Sequence, residues 1–276
     1  MTETLGTWID GVEAALLPAD DRGLQYGDGL YETMSVRDGL VRFLDAHLAR
    51  LEWGCSRLGI PFQPAGELRA EIAAALARAP ARAILKLIVT RGSGARRGYA
   101  PHGPIQPRRV LTLFESAALP AAWRGGIGLR IATLRLSVQP LLAGIKHLNR
   151  LENVLAALEP GHDAVFDSLL LETSGNVIAG TMSNVFIVSR GQVLTPPIDR
   201  CAVAGVMRGI VLRECAALGL ECQQRELTLA QLYAADEVFI TNARIGVVPA
   251  RRVGEHSFSM NAIALRLADH IESLDA

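Results

Sequence analysis

The chain has 276 residues, half of them hydrophobic and one fifth charged, with 28 basic side chains set against 28 acidic ones. That length supports one large domain or two smaller ones around a substantial core, and the balanced charge leaves no global field to draw the protein to nucleic acid or to an anionic membrane, so a small neutral or anionic ligand is the expected partner. Four cysteines without C-x-x-C spacing and six dispersed histidines without an H-E-x-x-H pair argue against a metal or disulfide framework, and the lack of a basic-then-apolar leader or a long uninterrupted apolar run points to the reduced cytoplasm and no membrane.

In chain order, short β-type runs end in dipeptides suited to tight hairpins: Trp8-Ile9 before Asp10-Gly11, and Ser35-Val36-Arg37 before Asp38-Gly39. Helical periodicity follows from Asp45 to Leu58, with Asp45 placed to cap and Leu48, Leu51, Cys55 and Leu58 recurring at three- and four-residue steps, and again from Gly66 to Ala79. Residues 83–90 and 110–114 read as strands. The Ala-, Pro- and Gly-rich stretch after them divides the chain into a small N-terminal domain (1–116), an interdomain loop (117–126) and a larger C-terminal domain (127–276). The second half predicts strands near 128–134, 164–171, 177–179 and 184–189, the last with a hairpin at Arg190-Gly191. A helix from Gly205 to Leu218, a strand from Glu237 to Thr241 and a helix from Asn261 to Leu274 complete it. Hairpin clusters without regular βαβ alternation, and without a G-x-G-x-x-G, make the class α+β.

Only two lysines, Lys86 and Lys146, stand beside twenty-six arginines. A primary amine forms a Schiff base with a carbonyl, which a guanidinium that stays protonated cannot do. Lys146 is the better candidate, because the apolar approach Leu141-Leu142-Ala143-Gly144-Ile145 would desolvate its ammonium and lower its pKa; the plainer alternative is a codon-biased genome in which a surviving Lys is neutral. Lys86 lies inside an apolar strand and either serves a ligand or pairs with a buried acid. In Asp21-Arg22-Gly23-Leu24-Gln25-Tyr26-Gly27-Asp28-Gly29-Leu30-Tyr31-Glu32-Thr33 the glycines permit tight turns, and an aromatic and a hydroxyl, Tyr31 and Thr33, fall on the strand that follows. Arg50, on a helix, is either solvated, as most helical arginines are, or grips an anion bidentately. Gly205-Val206-Met207-Arg208 opens a helix, where free N–H groups and the dipole favour an anion. Thr241-Asn242-Ala243-Arg244 ends a strand, as a further set of donors or as a turn.

Taken together and in this order, these segments and Lys146 resemble the fold-type IV pyridoxal-phosphate enzymes, a group of branched-chain and D-amino-acid aminotransferases and aminodeoxychorismate lyases. Leu142-Ala143-Gly144-Ile145-Lys146-His147-Leu148-Asn149-Arg150-Leu151-Glu152 and Thr90-Arg91-Gly92-Ser93-Gly94-Ala95-Arg96-Arg97-Gly98-Tyr99 look like the lyases in particular. The resemblance implies a two-domain α+β fold with a strongly bent sheet in the larger domain, a pyridoxal 5'-phosphate cofactor, a homodimer, and aminodeoxychorismate as substrate. It makes Lys146 the Schiff-base lysine and proton shuttle, places Arg50 on the cofactor phosphate, and adds backbone donors at Val206, Met207, Asn242 and Ala243. Arg97 and Tyr99, with Arg96 and Lys86 as alternatives, would face substrate carboxylates; one extra residue before the Arg-Gly-Tyr triplet leaves Arg96 and Arg97 both open. Tyr31 and Thr33 would line the pocket, with Thr33 relaying a proton to the leaving group.

One departure stands out. Ala179 occupies the position at which the family usually carries a Glu bonded to the pyridine nitrogen, and Glu172, seven residues earlier, is not expected to substitute. Without that carboxylate the ring is a poorer electron sink. Elimination that ends in an aromatic ring tolerates this better than transamination does, so the lyase is favoured over a branched-chain or D-amino-acid aminotransferase. The third alternative is a cofactor-binding paralogue without activity.

Overall fold

The computed structural model describes residues 3–14, 16–61, 65–94, 98–104 and 106–274. The chain forms two compact units, one made of residues up to 118 together with 145–149, the other of 119–144 and the chain from 150 onward. Lys146 therefore belongs to the first unit.

The first unit contains β1 (Thr4–Ile9), β2 (Val12–Glu13), α1 (Arg22–Tyr26), β3 (Gly29–Arg37), β4 (Leu40–Val41), α2 (Leu44–Leu58), α3 (Ala65–Leu76), β5 (Arg82–Thr90) and β6 (Arg108–Glu115). Its strands pair antiparallel in the order β2-β1-β6-β5-β3-β4. At both predicted hairpins the two turn residues have positive φ, 51° and 81° at Asp10 and Gly11, 48° and 79° at Asp38 and Gly39, the pairing that matches the twist of the flanking strands. Along β3 burial alternates, so that Leu30, Glu32, Met34 and Val36 face inward while Tyr31, Thr33 and Ser35 occupy the half-buried face.

Asp45 does not cap α2. The helix begins one residue earlier, behind Phe43, whose φ of 56° delivers the chain from β4 with no side-chain cap. Asp45 sits instead inside the first turn, where its charge complements the helix dipole and pairs with Arg69 of α3.

The second unit contains a 3-10 turn (Ala121–Gly125) within the stretch expected to be loop, then β7 (Ile127–Leu136), α4 (Leu151–Ala157), β8 (Asp167–Glu172), β9 (Val177–Gly180), β10 (Asn184–Ser189) and β11 (Gln192–Thr195). It continues with α5 (Val206–Ala217), β12 (Cys222–Gln224), α6 (Leu229–Tyr233), β13 (Glu237–Asn242), β14 (Gly246–Val253), β15 (His256–Ser257) and α7 (Ala262–Glu272). The sheet order is β12-β11-β10-β13-β14-β7-β8-β9, with β15 on β14. Because β9 also reaches β10 through Ala179 and Asn184, the run from β10 to β9 closes on itself. Leu129, Leu169, Val185, Ile187, Val238 and Ile240 fill its core. β14 was not expected, because Pro249 and Arg251-Arg252 disguise a strand that runs between β13 and β7. No helix among the described residues is long and apolar enough to cross a membrane.

Candidate active site

In the first unit the segment 145–149 lies along the start of β3. Tyr31 N donates to the Lys146 carbonyl at 2.9 Å, Leu148 N to Gly29 O at 3.0 Å, and Asn149 Nδ2 to Gly27 O at 3.0 Å. These bonds fix the backbone of Lys146 against the strand that carries Tyr31 and Thr33. Lys146 Nζ stands 4.2 Å from the centroid of the Tyr31 ring, and Lys86 Nζ stands 5.7 Å from the same centroid. Lys86 is the register partner of Thr33 across β3 and β5. The chain's two lysines thus converge on one aromatic ring, each within cation–π range. The buried-acid alternative for Lys86 does not hold: it forms no ion pair among the described residues, and its half-buried position faces the ring.

Arg50 is not a solvated helical arginine. Its side chain is 11% exposed, and both oxygens of Glu32 engage it, Nε at 2.8 Å from Oε1 and Nη2 on Oε2. His47, one turn earlier on α2, holds Glu32 Oε2 through Nδ1 at 2.6 Å. Glu32 and His47 are both fully buried, and among the described residues His47 Nε2 has no hydrogen-bond partner. Burial alone would raise the Glu32 pKa; the charge of Arg50 and the hydrogen bonds from His47 and Arg50 outweigh it and bring the value down to about 2. Glu32 is therefore a carboxylate, and His47 Nδ1 must be the donor.

Sequence reasoning also missed the arrangement around Asp28. Its carboxylate accepts Arg22 Nε at 2.8 Å and Arg91 Nε at 2.7 Å. Burial opposes its ionisation, yet the hydrogen bonds from Arg91 and Arg22 hold its pKa below the usual value. Arg22 further donates to the carbonyls of Gly98 at 2.9 Å and Tyr99 at 2.5 Å. Tyr99 is largely exposed, its ring edge-on to Tyr26 with centroids 5.6 Å apart. Arg96 and Arg97 lie outside the described residues.

In the second unit the start of α5 has Gly205 at its cap and no side-chain cap, so the first-turn amides, at Val206 and Met207, are left without an intrahelical partner. Asn184, at the start of β10, secures this end: its Oδ1 accepts Gly205 N at 3.1 Å and its Nδ2 donates to Val203 O at 2.9 Å. A Cβ on residue 205 would lie 2.1 Å from that oxygen, which leaves glycine as the residue that fits. Asn184 is also the register partner of Thr241. Beyond Thr241, Asn242 Oδ1 accepts the amides of Arg244 and Ile245, and its Nδ2 reaches Met182 O. Asn184 thereby anchors the residue before Val206 and Met207 and pairs with the residue before Asn242. Among the described residues, Thr241 Oγ1 is buried without a hydrogen-bond partner. An uncapped helix start, an orphaned hydroxyl and a glycine-tight backbone fit an anionic group such as a phosphate.

Ala179 is buried between Leu170 and Asn184, in an apolar cluster with Ala156 and Cys201. Glu172 is committed elsewhere, to Ser174 and, at 3.2 Å, to Arg200, although its Oε2 has no hydrogen-bond partner among the described residues.

The closed mixed sheet, the antiparallel six-stranded sheet and the lysine laid along β3 define a class, and the chain belongs to it: the amino-transferase class IV family, whose profile matches residues 29–253. Within that family it is similar to aminodeoxychorismate lyase of Vibrio harveyi, 37% identical over 243 residues that cover 88% of this chain and 89% of that protein. The crystal structure of 4-amino-4-deoxychorismate lyase from Pseudomonas aeruginosa matches with a TM-score of 0.91 and 44% identity, covering 98% of this chain and all of that one. A putative branched-chain-amino-acid aminotransferase of Methanocaldococcus jannaschii is 33% identical over 249 residues, 88% of this chain and 84% of that protein. The fold expected for the fold-type IV enzymes is the one observed.

Proposed function

We propose that the protein is a pyridoxal-phosphate-dependent lyase that eliminates pyruvate from 4-amino-4-deoxychorismate and releases 4-aminobenzoate, a step of folate biosynthesis. The carrying observation is the 44% identity to a lyase across nearly the whole chain. Bound pyridoxal phosphate supplies an aldehyde that condenses with an amine and a ring that withdraws electrons from the carbon bearing it. Lys146 Nζ carries the cofactor between turnovers and takes the proton from the amine-bearing ring carbon of the substrate. Tyr31, against which Lys146 rests, restricts the swing of that amine. Thr33 Oγ1 relays a proton to the departing enolpyruvyl oxygen. Arg97 and Tyr99, with Lys86 beside Tyr31, take the substrate carboxylates. Arg50 binds the cofactor phosphate, as do the amides at Val206, Met207, Asn242 and Ala243.

The enzyme acts as a homodimer in the cytoplasm, where its free cysteines stay reduced. Support for the dimer comes from α4, which is inverted: Glu152, Asn153 and Ala156 face its own unit, whereas Leu151, Val154, Leu155 and Leu158 are exposed on one stripe.

A purified preparation is expected to be yellow and to form 4-aminobenzoate with no keto acid added, with both properties lost in Lys146→Ala. A colourless protein that takes up no pyridoxal phosphate sinks the reading. The 33% identical aminotransferase relative favours a second reading, amino transfer. A product that appears only when a keto acid is supplied would select it.

A further inference from the structure

The inner face of β3 carries a costly arrangement. Glu32 is 1% exposed and His47 0% exposed, and the desolvation of a buried ion pair offsets much of its attraction, so stability alone is a weak reason to keep one. Apolar residues of similar size would fill the space beneath α2. The bonding pattern suggests another use. Arg50 presents one edge of its guanidinium, Nε and Nη2, to the two oxygens of Glu32, which fixes the plane of the group. His47, three residues before Arg50 on the same helix, shares Oε2 and thereby fixes the plane of the carboxylate. Its Nε2 meanwhile has no hydrogen-bond partner among the described residues.

We propose that Glu32 and His47 are positioning residues for phosphate recognition, holding the Arg50 guanidinium in one orientation so that the affinity for the phosphate-bearing cofactor depends on them. The inference rests on the reading of Arg50 as a phosphate ligand. Two effects compete. The negative charge of Glu32 opposes an incoming phosphate, while the fixed fork removes the rotamer entropy that a long side chain otherwise loses on binding. Since both carboxylate oxygens are spent on Arg50 and His47, orientation outweighs charge, and loss of the carboxylate weakens phosphate binding.

The test compares pyridoxal 5'-phosphate with pyridoxal, which lacks the phosphate, by titration of the purified apoprotein followed by absorbance. In Glu32→Gln the affinity for pyridoxal 5'-phosphate is expected to fall on the order of tenfold or more, with the affinity for pyridoxal unchanged. In an Arg50→Ala background, Glu32→Gln is expected to add nothing further. Equal loss for both compounds makes Glu32 merely structural and overturns the proposal, as does an unchanged or tighter hold on the phosphate form. Should Glu32→Gln not fold, His47→Asn, which removes the ring and keeps the carboxylate, is judged by the same two affinities. A wild-type protein that binds neither compound refutes the cofactor reading itself, an outcome distinct from a wild type that binds and a variant that binds equally well.

Discussion

Ala179 carries a methyl group at a position where the family resemblance leads one to expect an acid, and its surroundings are apolar. Ala179→Glu would therefore bury a carboxylate among Leu170, Ala156 and Cys201. The expected cost is roughly 1–3 kcal/mol of apoprotein stability in a denaturant titration, together with a rise in amino transfer to a keto acid relative to 4-aminobenzoate release. An unchanged product ratio with an unchanged absorption spectrum would remove Ala179 from the account of specificity. At this scale the sequence was legible where chemistry restricts the residue type. Lys146 stood out because, of the cationic side chains, an amine can form a Schiff base and a guanidinium cannot. Glu32 and His47 did not, because a carboxylate on an alternating strand and a histidine on a helix look like any others until folding brings residues 15 apart in sequence to 2.6 Å. The ion pair of Arg50 was hidden for the same reason: its partner lies 18 residues back on β3.

Elements were legible where backbone geometry dictates composition. The three dipeptides Asp10-Gly11, Asp38-Gly39 and Arg190-Gly191 all turn with positive φ at both residues, since a two-residue hairpin demands it. The cap at Asp45 failed because the entry to α2 is set by the preceding hairpin rather than by the helix. β14 stayed hidden since a proline on a central strand contradicts the usual pattern. The start of α5 was visible as a helix opening, but its anchor, Asn184, comes from another strand. Asn184→Ala removes an acceptor from Gly205 N and a donor from Val203 O. The expected result is a loss of about 1–3 kcal/mol in thermal unfolding and weaker binding of pyridoxal 5'-phosphate. A melting curve and cofactor affinity equal to wild type would show that α5 holds its start without help.

For the molecule as a whole, the inverted α4 predicts association. A stripe of four exposed apolar side chains along α4 and its C-cap Leu158 offers a surface for a second copy to cover about a two-fold axis. Leu155→Glu, at an exposed position that the fold does not need, is expected to halve the sedimentation mass while leaving the circular dichroism spectrum intact. A dimer that persists would move the interface elsewhere. The paired lysines carry a practical consequence as well. Amine-directed reagents, whether labels, crosslinkers or activated surfaces, meet only two side chains in the entire sequence, and both stand at the Tyr31 ring. The arginines exposed at the surface keep it charged yet silent to such chemistry. Lysine modification of this protein therefore reports on a single spot, and a bead coupled through lysine would grip every molecule by that spot.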